Sequence, residues 1–555
     1  MDFRKSILYF VLAILGIMLF HAWQHDYPSV QPASSQAAAA AQHPIDFAPT
    51  SNENAPSYQA TPKTLSVAIP SSKMITVKTD LLDAKINLRD GNLVDAKLLQ
   101  YPVSLKQKNT PVQILNSNNN ELYVTQSGLS VANAQSTHAP IQYTSDEKNY
   151  VMKDGENQLV VTLNGKTAQG ISVVKTFTFT RGQYAIQTAT QLTNHSNTKW
   201  EGNIYNQITR RDIPVSRFAS RAYEGASVST PNTPYKKLTF EDMSESNFSR
   251  SMAAGWVAMQ QQYFVTTWVP PKNQVLHYYS RSFGDGDDGQ NNIFILGYLS
   301  PLIQLAPNAT STFNSTLYVG PEIAKNLEKL GKGLGLTVDY GWLWPISKFL
   351  FWLMSEIQKY VGNWGWSIVL VTLIIKIAFY GLSKKSYHSM ARTRDLQPKI
   401  QQLKDRHGDD KQAMSKAMME LYRSEKINPL GGCLPMLVQI PVFFALYYVL
   451  VESVELRQAP FIFWIHDLSV KDPYYVLPLL MGISMFIQQK LSPPPPDPAQ
   501  AKMMMFLPVI MTIFFFTFPA GLVLYWLTNN CASILQQWIV MRAHSKKKET
   551  GRTRN

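Results

Sequence analysis

VTLIIKIAFYGL (371–382) is a run of hydrocarbon side chains with one ammonium, Lys376, at its centre. A charge facing lipid at that depth costs at least ~2.5 kcal/mol on insertion scales. Lys376 precedes Lys384 by eight residues, roughly 12 Å along a helix, and its stem spans only part of that distance. Thr372 and Tyr380 stand four residues to either side, on the same face of a continuous helix. That face is predicted to point at protein or at water.

The apolar character continues through the C-terminal part, with spans predicted at about 363–383, 430–451, 473–490, 503–518 and 520–541. None of these five contains a carboxylate, and Glu452 stands only at the outer end of the second. The neighbours open to Lys376 are neutral: Gln439, and Thr528, Asn529, Ser533, Gln536 and Gln537 of the last run. Lys376 is thus expected to lie in a wetted groove without an internal counter-ion. Upstream, WLWPISKFLFWLMSEIQKYV (342–361) interleaves Trp, Phe and Leu with Lys348, Glu356 and Lys359, the pattern of an interfacial amphipathic helix.

The N-terminus, MDFRKSILYFVLAILGIMLFHAWQ (1–24), has a short basic start and an apolar run with no small-residue cleavage site directly after it. It reads as an uncleaved signal-anchor with Arg4 and Lys5 in the cytoplasm. The net charge of +14 is localised: 384–428 carries eleven Lys/Arg against six Asp/Glu, and 541–555 carries six against one. Six alternating spans place both basic segments inside and residues 28–362 and 452–472 outside, as the positive-inside rule requires.

A Pro/Ala/Ser/Gln linker (25–64) follows the anchor. From about Ile75, short alternating runs with turn residues, such as VVKTFTFTRGQYAIQTATQLTN (173–194), predict a β-sandwich over 65–330. That region has no cysteine; Cys433 and Cys531 lie at or within apolar segments, so a disulfide framework is excluded there. The loop GDGDDGQNN (284–292) lacks the spacing of a calcium loop and reads as a solvated turn. Residues 331–362 hold a linker and the amphipathic helix, 363–383 a span, and 384–428 a helical hairpin. In that hairpin Leu396, Ile400 and Leu403 share one face, and Met414, Met418 and Leu421 another, with a turn at 407–410. The remaining spans fill 429–541, and 542–555 is a basic tail.

GWLWPISKFL (341–350), VGNWGWSIVLVTLIIK (361–376), LQPKIQQLKDRHGDDK (396–411), LYRSEKINPLGGCLPMLVQIPVFFALYYVL (421–450), VELRQAPF (454–461), WIHDLS (464–469) and FPAGLVLYW (518–526) closely resemble the YidC-type membrane protein insertases of Gram-negative bacteria. The resemblance implies an α-helical polytopic membrane protein of six spans, five forming the core. It also implies a large periplasmic all-β supersandwich, similar to sugar-mutarotase folds, and a cytoplasmic helical hairpin. The core would surround a hydrophilic groove open to the cytoplasm and laterally to lipid, and closed to the periplasm. The family's groove cation is usually arginine; Lys376 stands at that position and keeps the charge without the bidentate fork. Gly381 replaces the proline usual near the end of this span. Groove positions of the family map onto Thr372, Gln439 and Trp526, with Tyr525 and Tyr380 beside them; packing is the plain alternative for Tyr525 and Trp526. Met481 and Met485 would line an apolar slide for substrate helices, with ordinary packing as the alternative.

The function so implied is insertion and folding of nascent inner-membrane proteins, alone or with the Sec translocon, with no cofactor and no metal. Lys399, Asp409 and Asp410 of the hairpin and Lys546, Lys547 and Lys548 of the tail would approach the ribosome and signal-recognition targeting factors. Membrane lipids are further partners, and DNA is not. A membrane-anchored carbohydrate-active or proteolytic enzyme is the rival class, but HExxH, GxSxG and paired intramembrane aspartates are all missing; the adjoining His466 and Asp467 do not make a site. A polytopic transporter would show internal symmetry, which the sequence lacks.

Overall fold

The alternation in ISVVKTFTFT is reproduced in space. In strand Ile171–Thr180, residues 171, 173, 175, 177 and 179 are buried and those between them half-buried. Gly182, at φ 72° in the left-handed region that glycine tolerates, turns the chain back. Strand Ala185–Asn194 then sets Ile186 between Phe179 on one side and Leu317 of Thr310–Pro321 on the other. These three strands lie in a nine-stranded sheet, which six- and five-stranded sheets join around one apolar core that includes Trp256, Trp268 and Phe294. Lys175 falls on the buried face and is satisfied there. Its ammonium donates to the carbonyls of Ser127 (2.6 Å), Asp90 (3.1 Å) and Gly91 (3.3 Å), and burial pushes its pKa down to about 8.

The computed structural model describes residues 73–131, 141–212, 223–253, 255–272, 274–284, 292–407, 410–425, 434–492 and 498–552. The expected signal-anchor, the linker to residue 64, most of the 284–292 loop, Asp409 and Cys433 lie outside them.

The helices are α1 (Phe240–Glu245), α2 (Ala324–Leu330), α3 (Trp344–Val361), α4 (Trp364–Ala378), α5 (Tyr380–Asp395), α6 (Gln397–His407), α7 (Lys411–Ser424), α8 (Leu434–Glu452), α9 (Val476–Leu491), α10 (Pro498–Phe515) and α11 (Ala520–Arg552). α3 starts with Pro345 in its first turn and ends at Gly362 in the left-handed conformation. It buries Ser347, Leu350 and Met354 and leaves Trp344, Phe349 and Trp352 more than half exposed. Asn363 caps α4 by accepting from the Trp366 amide. Gly365 lies so close to Phe461 that a Cβ would overlap the ring. α6 and α7 pack through Leu396, Ile400 and Met418. The segment expected as a separate basic tail continues α11 as far as Arg552.

No single helix among the described residues is long and apolar enough to cross a membrane; α4 and α5 together pass that test, bent by 68° at a break between them. The bend forms without proline, which residues 364–395 do not contain, and Gly381 lies in the first turn of α5. α8 and α10 carry internal prolines, Pro441 and Pro508, and Asn529 and Asn530 interrupt the apolar part of α11.

Between α8 and α9 the chain returns to the β-domain. Val454 is buried in that domain's core. Arg457 donates to the carbonyls of Pro102 (2.8 Å) and Val103 (3.1 Å) and lies over the Phe264 ring, and Gln458 donates to Pro102 (3.0 Å). Lys237 pairs with Asp339. Two carboxyls near this junction have few cationic partners. Burial pushes Glu322 well above the carboxylate range, and burial raises Glu455 from 4.5 to about 7. The folded state therefore holds a proton on Glu455 that the unfolded chain releases between those values. Its contribution is complete below 4.5 and is lost as the pH rises to about 7. In thermal unfolding of the detergent-solubilised chain, Glu455→Gln is expected to gain on the native protein steadily from pH 4.5 to 7; parallel curves would contradict this assignment.

Candidate substrate groove

Lys376 sits in the last turn of α4, one turn below Thr372. Its ammonium has three protons to donate, and neutral oxygens take two of them: Ser533 Oγ of α11 at 2.7 Å and Gln439 Oε1 of α8 at 3.3 Å. No ion pair among the described residues includes Lys376.

Both acceptors are themselves oriented. Ser533 donates its proton to the Asn529 carbonyl at 2.8 Å, which turns its lone pairs toward the ammonium. Gln439 donates its amide N–H groups to Asn529 Oδ1 and to Tyr525 Oη, which leaves Oε1 for Lys376. Gln536 Nε2 donates to the Lys376 backbone carbonyl at 3.2 Å. Lys376 and Gln439 border an open cleft with Ile375, Phe379, Leu382, Ser383, Val438 and Val442; its empty space, open solvent included, is about 380 Å³.

The other sequence candidates divide. Thr372 is buried and donates to the Ile368 carbonyl of its own helix at 2.7 Å. Tyr525 is buried beside Gln439. Trp526 packs edge-on against Phe443 at 4.8 Å and tilted against Phe515 at 5.1 Å, and has no hydrogen bond to the Lys376 set among the described residues. Tyr380 begins α5 beyond the bend, over a third exposed, so the four-residue spacing does not carry it onto the face of Lys376. Met481 does not line an exposed slide. It is fully buried with Leu477, Pro478, Gly482 and Ser484, because that face of α9 packs inward, and Leu479, Leu480, Ile483 and Ile487 face outward instead. Met485 is partly buried against the same core.

Lys399 pairs with Glu425 at 2.6 Å between α6 and the end of α7, and Asp410 caps α7 by accepting from the Gln412 and Ala413 amides. Lys546, Lys547 and Lys548 lie on the α11 backbone, with side chains outside the described set. Asn529, Ser533 and Gln536 enter the site more directly than Trp526 or Tyr380. Their spacing of four and then three puts them on one helix face, a signal present in the sequence.

Residues 356–548 match the family described as 60Kd inner membrane protein, and residues 74–353 match the YidC periplasmic domain. A membrane protein insertase YidC of Coxiella burnetii (strain Dugway 5J108-111) is 52% identical over 99% of this chain and 98% of its own length. The chain belongs to the YidC family of membrane protein insertases. The YidC insertase of Legionella pneumophila (strain Paris) is 47% identical over the same shares. A crystal structure of an active YidC insertase, 17% identical, aligns over 83% of this chain and 92% of its own at a TM-score of 0.38. Membership rests on the sequence relatives. YidC proteins are inner-membrane insertases rather than enzymes, and the β-rich part of this YidC-family chain is its periplasmic domain.

Removing the Ser533 hydroxyl takes away the shorter of the two bonds to a half-buried ammonium. Ser533→Ala is expected to lower stability by about 1–3 kcal/mol, read from thermal unfolding in detergent, while Ser533→Thr stays close to the native value.

Proposed function

We propose that this insertase passes the polar head of a nascent membrane protein through a groove centred on Lys376. The observation that carries the reading is an ammonium held, among the described residues, by neutral oxygens alone, beside an open cleft. An unpaired cation of this kind attracts a carboxylate by ~4 kcal/mol at 4 Å and an effective dielectric of about 20. Gln439, Thr372 and Tyr525 belong to the polar surroundings of that cation. Lysine in place of arginine retains the charge and gives up the fork, so charge rather than guanidinium geometry is the working element.

In this reading the chain has six spans with both termini in the cytoplasm, the groove opens to the cytoplasm and to lipid, and no through-pore or ATP is needed. A substrate's acidic head enters the groove while its apolar helix moves into lipid along α8 and α10. Each Leu or Ile contributes about 0.3–0.6 kcal/mol to that transfer, enough over a full span to offset one or two charges. Nascent membrane proteins are the substrates, with the Sec translocon as partner for some of them. The α6–α7 hairpin and the basic end of α11 approach the ribosome and signal-recognition targeting factors, and membrane lipids border the core. The exposed aromatics of α3 suit a place at the lipid interface.

In a reconstituted insertion assay, Lys376→Glu is expected to abolish insertion of substrates with acidic heads, whereas Lys376→Arg is tolerated. Equal activity of the two variants would refute the charge role.

A further inference from the structure

α4 ends at Ala378, two residues after Lys376, and α5 sets off at 68° to it. Sharp bends in helices trace to proline, to small-residue pairs, or to a group inserted into the hydrogen-bond ladder. Proline is excluded, since residues 364–395 contain none. Gly381 lies inside α5 with open space around it and is not packed into the bend. What meets the break is a side chain from another helix.

The last four carbonyls of a helix lose their in-helix donors. Lys376 contributes one of these four in α4, and Gln536 Nε2 of α11 donates to it at 3.2 Å. The other end of that amide, Oε1, is buried and has no partner among the described residues. The placement of Gln536 is therefore set by its bond to the break. One turn away, at Ser533, the same helix face accepts from the Lys376 ammonium. α11 thus holds Lys376 at both ends, the side chain by Ser533 and the backbone by Gln536.

We propose that Gln536 is a positioning residue for the groove cation, fixing the α4–α5 bend through the Lys376 carbonyl in place of a proline. The proposal rests on the reading of Lys376 as the groove cation. Without the Gln536 donor, α4 and α5 are free to straighten, and the ammonium moves away from Ser533 and Gln439 while keeping its charge.

The test uses the full chain in lipid nanodiscs, with spin labels at the exposed positions Leu370 and Lys385, and insertion reporters with acidic or neutral heads. Gln536→Met keeps the size and removes the donor. It is expected to broaden the label distance distribution and to lower acidic-head insertion about tenfold, the scale of one lost bond to a buried carbonyl, and by more than it lowers neutral-head insertion. Proline is tolerated in the first turn of a helix and fixes φ there. Gly381→Pro added to Gln536→Met is therefore expected to restore both the distance distribution and the insertion. Native insertion or a native distance distribution in Gln536→Met would overturn the proposal, as would a defect that Gly381→Pro leaves unrepaired. Should Gln536→Met fail to accumulate, recovery in the double variant supports the bend and continued failure refutes it. Lys376→Met is run alongside: native acidic-head insertion there overturns the groove reading itself, while loss there with native insertion in Gln536→Met overturns only the role of Gln536.

Discussion

A positive charge in an apolar helix, answered by oxygens that carry no charge of their own, sets the terms for the helical region. Taking an ammonium out of water costs several kcal/mol even after relaxation. Here the cost is met in two ways: the side chain is only partly buried and borders a cleft, and its ammonium donates to Ser533 and Gln439. Those acceptors only serve because Asn529 and Tyr525 hold them in one orientation. The arrangement brings α4, α8 and α11 together at one point, and the aromatic packing of Tyr525 and Trp526 on Phe443 closes the space beside it. Among the described residues no carboxylate pairs with this ammonium.

Much of this was legible in the sequence where a short-range rule applied. Period-two alternation identified strand Ile171–Thr180 because one face of that strand is buried along its whole length. The lack of carboxylates near Lys376 followed from reading five apolar runs, and Gln439 and Ser533 were named among its neutral neighbours. The rest depended on contacts that no local pattern encodes. The α4–α5 bend has no proline to announce it; its distinguishing contact comes from Gln536, far along the chain. Met481 was misplaced because α9 is apolar on both its faces, so composition does not say which one packs inward. Tyr380 was carried onto the wrong face by an i, i+4 rule that holds only in an unbroken helix.

The β-domain is attached to the helical region by more than chain connectivity. Its sheets bury their own apolar faces, yet the region after α8 makes part of that core and hydrogen-bonds to the strand end at Pro102 and Val103. Buried carboxyls whose pKa values are raised by burial, and a guanidinium on carbonyls, give this junction the character of a domain interior.

The burial of Val454 also bears on the order of biogenesis. Among the described residues the strands of the periplasmic domain are complete by Pro321, but Val454, which belongs to its core, is translated only after α8. A β-domain core that includes Val454 is complete only once the chain has been made through the loop following α8.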